Sequence, residues 1–319
     1  MLISSILPKF GSKIPNYTFA NCLNIDSVEL ISQITEIGTN AFLNCVNIQY
    51  VNIGQVTKIG ESAFQDCMFE FISMDKVTDI GKNAFANCTN LKYVDFSSVI
   101  NIGDSAFKNS GLKTVKIIET TKKIDAYAFA DCADLETVVI QTDNNQLLSR
   151  TSGTVYSKYD HFTRCPKLDN FVLIYTGTVE NGHIIYAGVS STSNYFRGGT
   201  TDKDIAGPLT NFYVPLTHVS VYSESAWFTK DLDLSQILTS LKGFDPLAAV
   251  KPWEITVTFT DGTTSKQVVI TKNSAVKLDI GMFEGRTINE FTIGDQVLES
   301  SYYLAGENIT INVTFEPQA

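Results

Sequence analysis

One unit recurs through the first half of the chain. Ile-Gly stands at Ile37-Gly38, Ile59-Gly60, Ile80-Gly81 and Ile102-Gly103, with Ile124-Asp125 as a variant. Ala-Phe follows each, at Ala41-Phe42, Ala63-Phe64, Ala84-Phe85, Ala106-Phe107 and Ala128-Phe129. A weaker first copy carries Ile14 and Phe19. Successive Phe intervals from Phe19 to Phe129 are 23, 22, 21, 22 and 22, and Phe162 follows after 33, so one rung carries an insertion. A unit this short cannot bury its own apolar side. It must stack on its neighbours, which makes a solenoid.

Each unit also holds an apolar column eight or nine residues after the Phe: Val28, Val51, Ile72, Val94, Val115, Val138 and Phe171. A second column, Leu30, Ile53, Met74, Phe96, Ile117, Ile140 and Leu173, lies two residues on, which is strand alternation. Stacked side by side, these strands predict a parallel sheet on one face. The Ala-Phe segment predicts one helical or 3₁₀ turn on the opposite face. Gly after Ile fits a tight corner that excludes a Cβ. The expected class is therefore an α/β solenoid. The residues flanking the inward Val column point outward. The preceding column reads Ser27, Tyr50, Phe71, Tyr93, Thr114 and Thr137; the following one reads Glu29, Asn52, Ser73, Asp95, Lys116 and Val139.

The pattern V-x-x-I-G-x-x-A-F-x-N-C-x-x-L-x-x-V-x-I, cleanest in Val77 to Phe96, resembles the BspA-type (Treponema-type) leucine-rich repeat. Asn211-Phe212-Tyr213-Val214-Pro215, then Val221-Tyr222 and Trp227, is similar to the terminal rung that closes many arrays of this family. The resemblance implies a leucine-rich repeat array with a binding role, as in bacterial surface antigens and adhesins, surface proteins of mucosal protists, or phage virion proteins. Residues 1–247 are expected to form the array, regular over 14–140 and irregular, with a cap, over 141–247. In the irregular part Arg164 stands at the Asn position and His161 at the Ala position.

Chemistry is sparse. Cys22, Cys45, Cys67, Cys88, Cys132 and Cys165 each lie three residues after the repeat Phe, and Ser110 fills that place once. One column of small, weakly polar residues reads as a reduced internal ladder rather than as disulfides or a metal site. His161, His183 and His218 form no metal or H-E-x-x-H pattern. Gly198-Gly199 belongs to no phosphate loop, and no G-x-S-x-G elbow occurs. The sequence thus points to no cofactor, no metal and no catalytic residue. A carbohydrate-active site assembled from scattered carboxylates is the weak alternative.

Binding surfaces are better candidates. Tyr50, Phe71 and Tyr93 form an aromatic stripe across three rungs, readable as an interaction patch or as stacking for stability. The insertion at 176–207 is rich in small polar residues and carries Tyr186, Tyr195, Phe196 and Arg197; it reads as a binding loop or as a flap over the last rungs. With Lys+Arg 24 against Asp+Glu 34 and no basic run, a nucleic-acid partner and a polybasic membrane anchor are excluded. No stretch is long enough for a membrane-inserted helix.

Asp231–Leu241 has helical spacing. Beyond Pro246 and Pro252 the period changes to two. Ile255, Val257 and Phe259 alternate with Thr, and Asp261-Gly262 signals a hairpin. Further strands are expected at Lys266–Thr271, Ala275–Ile280, Thr287–Ile293 and Ile309–Phe315. Residues 251–319 therefore predict a small all-β domain, a sandwich or Ig-like module. The N-terminus lacks a basic region followed by an apolar run, so no secretory signal is expected. The first expectation for the whole is a non-enzymatic, adhesin-like solenoid at an extracellular or cell-surface location that binds a host protein or glycan. The second is a structural or receptor-binding virion component, docked to other virion proteins through its β-domain.

Overall fold

The computed structural model describes residues 11–30, 33–144, 147, 161–162, 164–176, 211–215, 241–244, 251, 254–278, 288–298 and 302–315. The chain divides into two compact units, Met1–Gly243 and Phe244–Ala319.

In the first unit each regular rung supplies two short strands. The Ile-Gly column builds one parallel sheet from β1 (Lys13–Ile14), β3 (Glu36–Ile37), β5 (Lys58–Ile59), β7 (Asp79–Ile80), β8 (Asn101–Ile102) and β10 (Lys123–Ile124). Every Ile in it faces inward and is buried. The outward residues pair in register as Lys13, Glu36, Lys58, Asp79, Asn101 and Lys123. The Val column builds the expected parallel sheet. It starts with β2 (Ser27–Glu29), β4 (Tyr50–Asn52) and β6 (Ile72–Ser73) and is continued by the bridge Phe71↔Tyr93. The later rungs form a separate five-stranded sheet in the order β14-β13-β12-β11-β9, from β9 (Thr114–Ile117), β11 (Thr137–Thr142), β12 (Asn170–Tyr175), β13 (Asn211–Pro215) and β14 (Leu241–Phe244). Asn211 pairs beside Asn170 and Phe212 beside Phe171, so the terminal motif adds its strand in parallel to the same sheet.

Two expectations are corrected. The α/β label fails because the described residues contain no helix. The Ala-Phe segment is instead a double left-handed turn. Asn40 and Asn44, Ser62 and Asp66, Asn83 and Asn87, and Ser105 and Asn109 all have φ between 51 and 62°. These residues flank the Phe by two places on either side, and they turn the chain so that alternate amides point at the next rung. Asn40 donates to Glu61, Phe42 to Ala63 and Asn44 to Gln65, each at 2.8 Å. Asn, Asp and Ser recur there because Asn and Asp tolerate the left-handed region better than most residues. The Ile-Gly glycines are not corners in that sense. A Cβ on Gly60, Gly81 or Gly103 would lie 2.7 Å from the carbonyl carbon of the preceding rung's glycine, so close stacking requires them.

The core is one continuous stack. Phe19, Phe42, Phe64, Phe85, Phe107, Phe129 and Phe162 lie ring upon ring with centroids 5.0–5.5 Å apart. Phe162 continues this stack despite the insertion before it, and Val138 pairs with Phe171 in the sheet. Arg164 takes the Asn position with φ 54° and forms a bidentate ion pair with Asp131. Of the expected Asp231–Leu241 helix, residues 231–240 lie outside the described residues, and Leu241 opens a strand.

The second unit contains β15 (Glu254–Thr260), β16 (Ser265–Thr271), β17 (Ser274–Lys277), β18 (Ile288–Ile293), β19 (Gln296–Val297), β20 (Tyr302–Ala305) and β21 (Ile309–Phe315). The Asp261-Gly262 turn joins β15 to β16, with Gly262 at φ 87° and the Asp261 carboxylate accepting the amides of Thr263 and Thr264. Val257, Phe259, Phe291, Ile311 and Val313 form its core. The sheet order is β16-β15-β21-β18-β19, beside a separate β17-β20 pair. Its central strands β15 and β21 run parallel, unlike the antiparallel sheets of an Ig-like module.

Candidate functional site

The sheet register sets the aromatic stripe. Ser27 pairs with Tyr50, and Val51 pairs with Ile72, which puts Tyr50 beside Phe71. Phe71 is bridged to Tyr93. Val28, Val51, Ile72 and Val94 are buried beneath, so alternation turns the three rings outward. Tyr50 is 46% exposed, and Phe71 and Tyr93 are half-buried.

The stripe stops at Tyr93. Thr114, Thr137, Val139 and Val172 occupy outward columns yet are buried. The expectation that both columns point to solvent therefore holds for the first rungs only. Alternation along a strand tells which side a residue takes, not what else lies on that side.

Acidic groups border the stripe. Glu29, Asp75 and Asp95 are exposed on its C-terminal side, and Asp26 and Glu70 on the other. Lys92 is held by Glu70 at 2.5 Å, and Lys76 donates to Gln55 at 2.5 Å. Asn52 and Asp95 cap the turns that follow their strands, accepting the amides of Gly54 and Ser97. The border was readable in the sequence as a column, but its role beside the rings comes from the register. Tyr195, Phe196 and Arg197, the competing loop site, lie outside the described residues, as do Tyr186, His183 and His218.

The cysteine column has a specific task. Where the next rung carries Cys, its thiol donates to the Phe carbonyl of the rung before: Cys45 donates to Phe19 at 3.0 Å, Cys67 to Phe42 at 3.1 Å, and Cys88 to Phe64 at 3.0 Å. Cys132 and Cys165 repeat the bond to Phe107 and Phe129 at 3.3 Å. Each of the Phe19, Phe42, Phe64 and Phe107 carbonyls already accepts the backbone N–H three residues on, as Phe19 does from Cys22 at 3.1 Å, and the small, otherwise apolar thiol fills its second lone pair. None of the six cysteines forms a disulfide. Burial pushes the thiols of Cys45, Cys67 and Cys88 up, that of Cys45 to about 11, which suppresses the thiolate a nucleophile or metal ligand needs. Cys22, in the first rung, is only half-buried.

His161 fills the Ala column and packs edge-on to Phe162. Its Nδ1 lies 2.9 Å from the Asp125 carbonyl, and Nε2 has no partner. Burial lowers its pKa to about 4, so it is a neutral packed residue at pH 7. Among the described residues no three His, Cys, Asp or Glu side chains converge as a metal site, and no helix is long and apolar enough to cross a membrane.

The stacked Phe, Cys and Ile-Gly columns meet their counterpart in sequence comparison, where residues 12–136 match the BspA type leucine rich repeat region in six copies. Residues 12–136 are a BspA-type leucine-rich repeat array. Three solved bacterial structures are similar to the chain. A leucine-rich repeat protein from Eubacterium ventriosum is 18% identical, over 60% of this chain and 54% of its own, with a TM-score of 0.37. One from Bacteroides ovatus is 22% identical, over 63% and 64%, with a TM-score of 0.25. A leucine rich cell surface protein from Faecalibacterium prausnitzii is 18% identical, over 73% and 82%, with a TM-score of 0.34. The chain spans less than two-thirds of the first two. No curated protein matches it. The aromatic stripe lies wholly within the BspA-type repeats.

Proposed function

We propose that this BspA-type array is a non-enzymatic, adhesin-like binding module displayed at a cell surface, which recognises a protein or glycan partner across several rungs. The observation that carries this reading is the register-locked column Tyr50, Phe71 and Tyr93 on the outward face of the sheet. Apolar side chains belong in the core by default, and the same rungs bury Val51, Ile72 and Val94 there. Three outward aromatics in successive rungs add nothing to that core, and aromatic anchors dominate recognition surfaces. The buried thiols and the neutral buried His161 provide no nucleophile or base at the surface. Surface display rests on the repeat family alone.

The test is a pair of variants, Tyr50→Ala/Phe71→Ala/Tyr93→Ala and Tyr195→Ala/Phe196→Ala/Arg197→Ala, assayed on whole cells, glycan arrays and surface proteins. The first should lose binding while keeping its circular dichroism spectrum and Tm. Normal binding by a folded first variant would overturn the stripe as the site, and loss in the second variant alone would move it to the loop.

A further inference from the structure

The geometry points to the partner's chemistry: the stripe fits an extended segment of another protein that carries Lys or Arg side chains. This inference rests on the stripe being the binding site. Its argument is charge complementarity. Two columns run side by side on the outward face of these rungs, one of Ser27, Tyr50, Phe71 and Tyr93, the other of Glu29, Asn52, Ser73 and Asp95. Within a strand the two columns are two residues apart, on the same face of the pleat. A cation lying on a ring of the first column therefore has an acceptor of the second beside it. Carboxylates stand at both ends of that second column, Glu29 at one and Asp95 at the other, and Asp75 adjoins Ser73, whose hydroxyl donates to it at 3.1 Å.

The balance of charge around the rings is negative. Glu29, Glu70, Asp75 and Asp95 border them against Lys76 and Lys92, and the Lys92 ammonium is already engaged by Glu70. Aromatic faces attract cations, Arg guanidinium above all, and nearby carboxylates add to that attraction. The same carboxylates repel sulfated or sialylated glycans, phosphate and anionic membrane surfaces. Neutral sugars would stack on the rings but gain nothing from the acidic border. Chain reach agrees with a peptide. The three rung-to-rung steps from Ser27 to Tyr93 span ~14 Å at ~4.8 Å each, the length of about four extended residues.

The experiment uses the full chain and three probes at low and high salt: a fluorescent peptide of alternating Arg and Gly, its Glu/Gly counterpart, and a neutral cello-oligosaccharide. The Arg peptide should bind, with the Glu peptide and the oligosaccharide at least about tenfold weaker. The triple variant should weaken Arg-peptide binding about tenfold or more, and Glu29→Gln/Asp95→Asn should weaken it several-fold and flatten its salt dependence. Tyr50→Ala alone changes an exposed residue and keeps the test valid if the triple variant unfolds. Arg-peptide binding that no variant changes is general attraction to an acidic chain, and it overturns the inference. Oligosaccharide binding that needs the stripe, with no Arg-peptide binding, overturns the cationic partner but keeps the stripe as the site. Loss of neither probe's binding in the triple variant overturns both.

Discussion

Removing one ring from the middle of the Phe stack tests whether stability is carried rung to rung. Phe85 is fully buried, stacked on Phe64 at 5.5 Å and on Phe107 at 5.0 Å, with Phe69 edge-on at 6.4 Å. Among the described residues Phe19 stacks on Phe42 at 5.1 Å, and unlike Phe85 it is 6% exposed. Truncating a buried Phe costs about 3–5 kcal/mol in lost transfer energy and cavity. Phe85→Ala belongs at the top of that range, because rungs on both sides hold the cavity open. Phe19 is already partly exposed, so its truncation loses less transfer energy and leaves a site that relaxes more readily. It should therefore cost about 2 kcal/mol less. Urea unfolding followed by circular dichroism measures both, with m-values compared to confirm that the same structure unfolds. Equal costs, or a larger one at Phe19, would refute the stacking argument.

Three further outcomes are expected. In the native protein a bulky thiol reagent should modify Cys22 slowly and the other five hardly at all, rising to six in denaturant without reductant; fewer than six there means disulfides. His161 is held neutral when folded, so the unfolded chain binds more protons between about pH 6.5 and 4, and stability should fall as pH drops through that window, by about 3 kcal/mol in all. In His161→Ala, which restores the column's usual residue, that part of the pH slope should vanish; an unchanged slope rules His161 out as its source. Gly111→Ala would place a Cβ 2.1 Å from the Thr89 carbonyl oxygen, so its Tm should drop in line with a loss of about 2 kcal/mol or more; a Tm within error of the wild type would contradict that close approach.

The repeat, its Val-column sheet and the thiol ladder were legible because each rests on side chains recurring at a fixed interval. The turns were not, since Ala-Phe reads as helix-forming and only the Asn, Ser and Asp residues around it signal a left-handed backbone. The second sheet was hidden for a related reason: strands such as Lys58–Ile59 are two residues long, too short to alternate visibly. The 33-residue interval from Phe129 to Phe162 leaves register open in the sequence, and the stack closes it at 5.3 Å. In the second unit the hairpin at Asp261-Gly262 was local and visible. The parallel pairing of β15 with β21 joins strands some fifty residues apart and carries no local signal. The stripe residues were legible one by one, but where their open face ends depends on what buries Thr114 and Thr137.

The outward column of the Ile-Gly sheet gives the array a parity. Lys13 pairs with Glu36, Glu36 stands beside Lys58, and Lys58 beside Asp79, so charge alternates from rung to rung. Removing the Glu36 rung alone would set Lys13 against Lys58; removing the Lys58 rung alone would set Glu36 against Asp79. Like charges directly opposite on neighbouring strands are unfavourable. Removing the two together leaves Lys13 facing Asp79, and the alternation survives. Over this stretch the heritable unit of length is thus a pair of rungs, and gain or loss of an odd number leaves a charge defect that further substitution must mend.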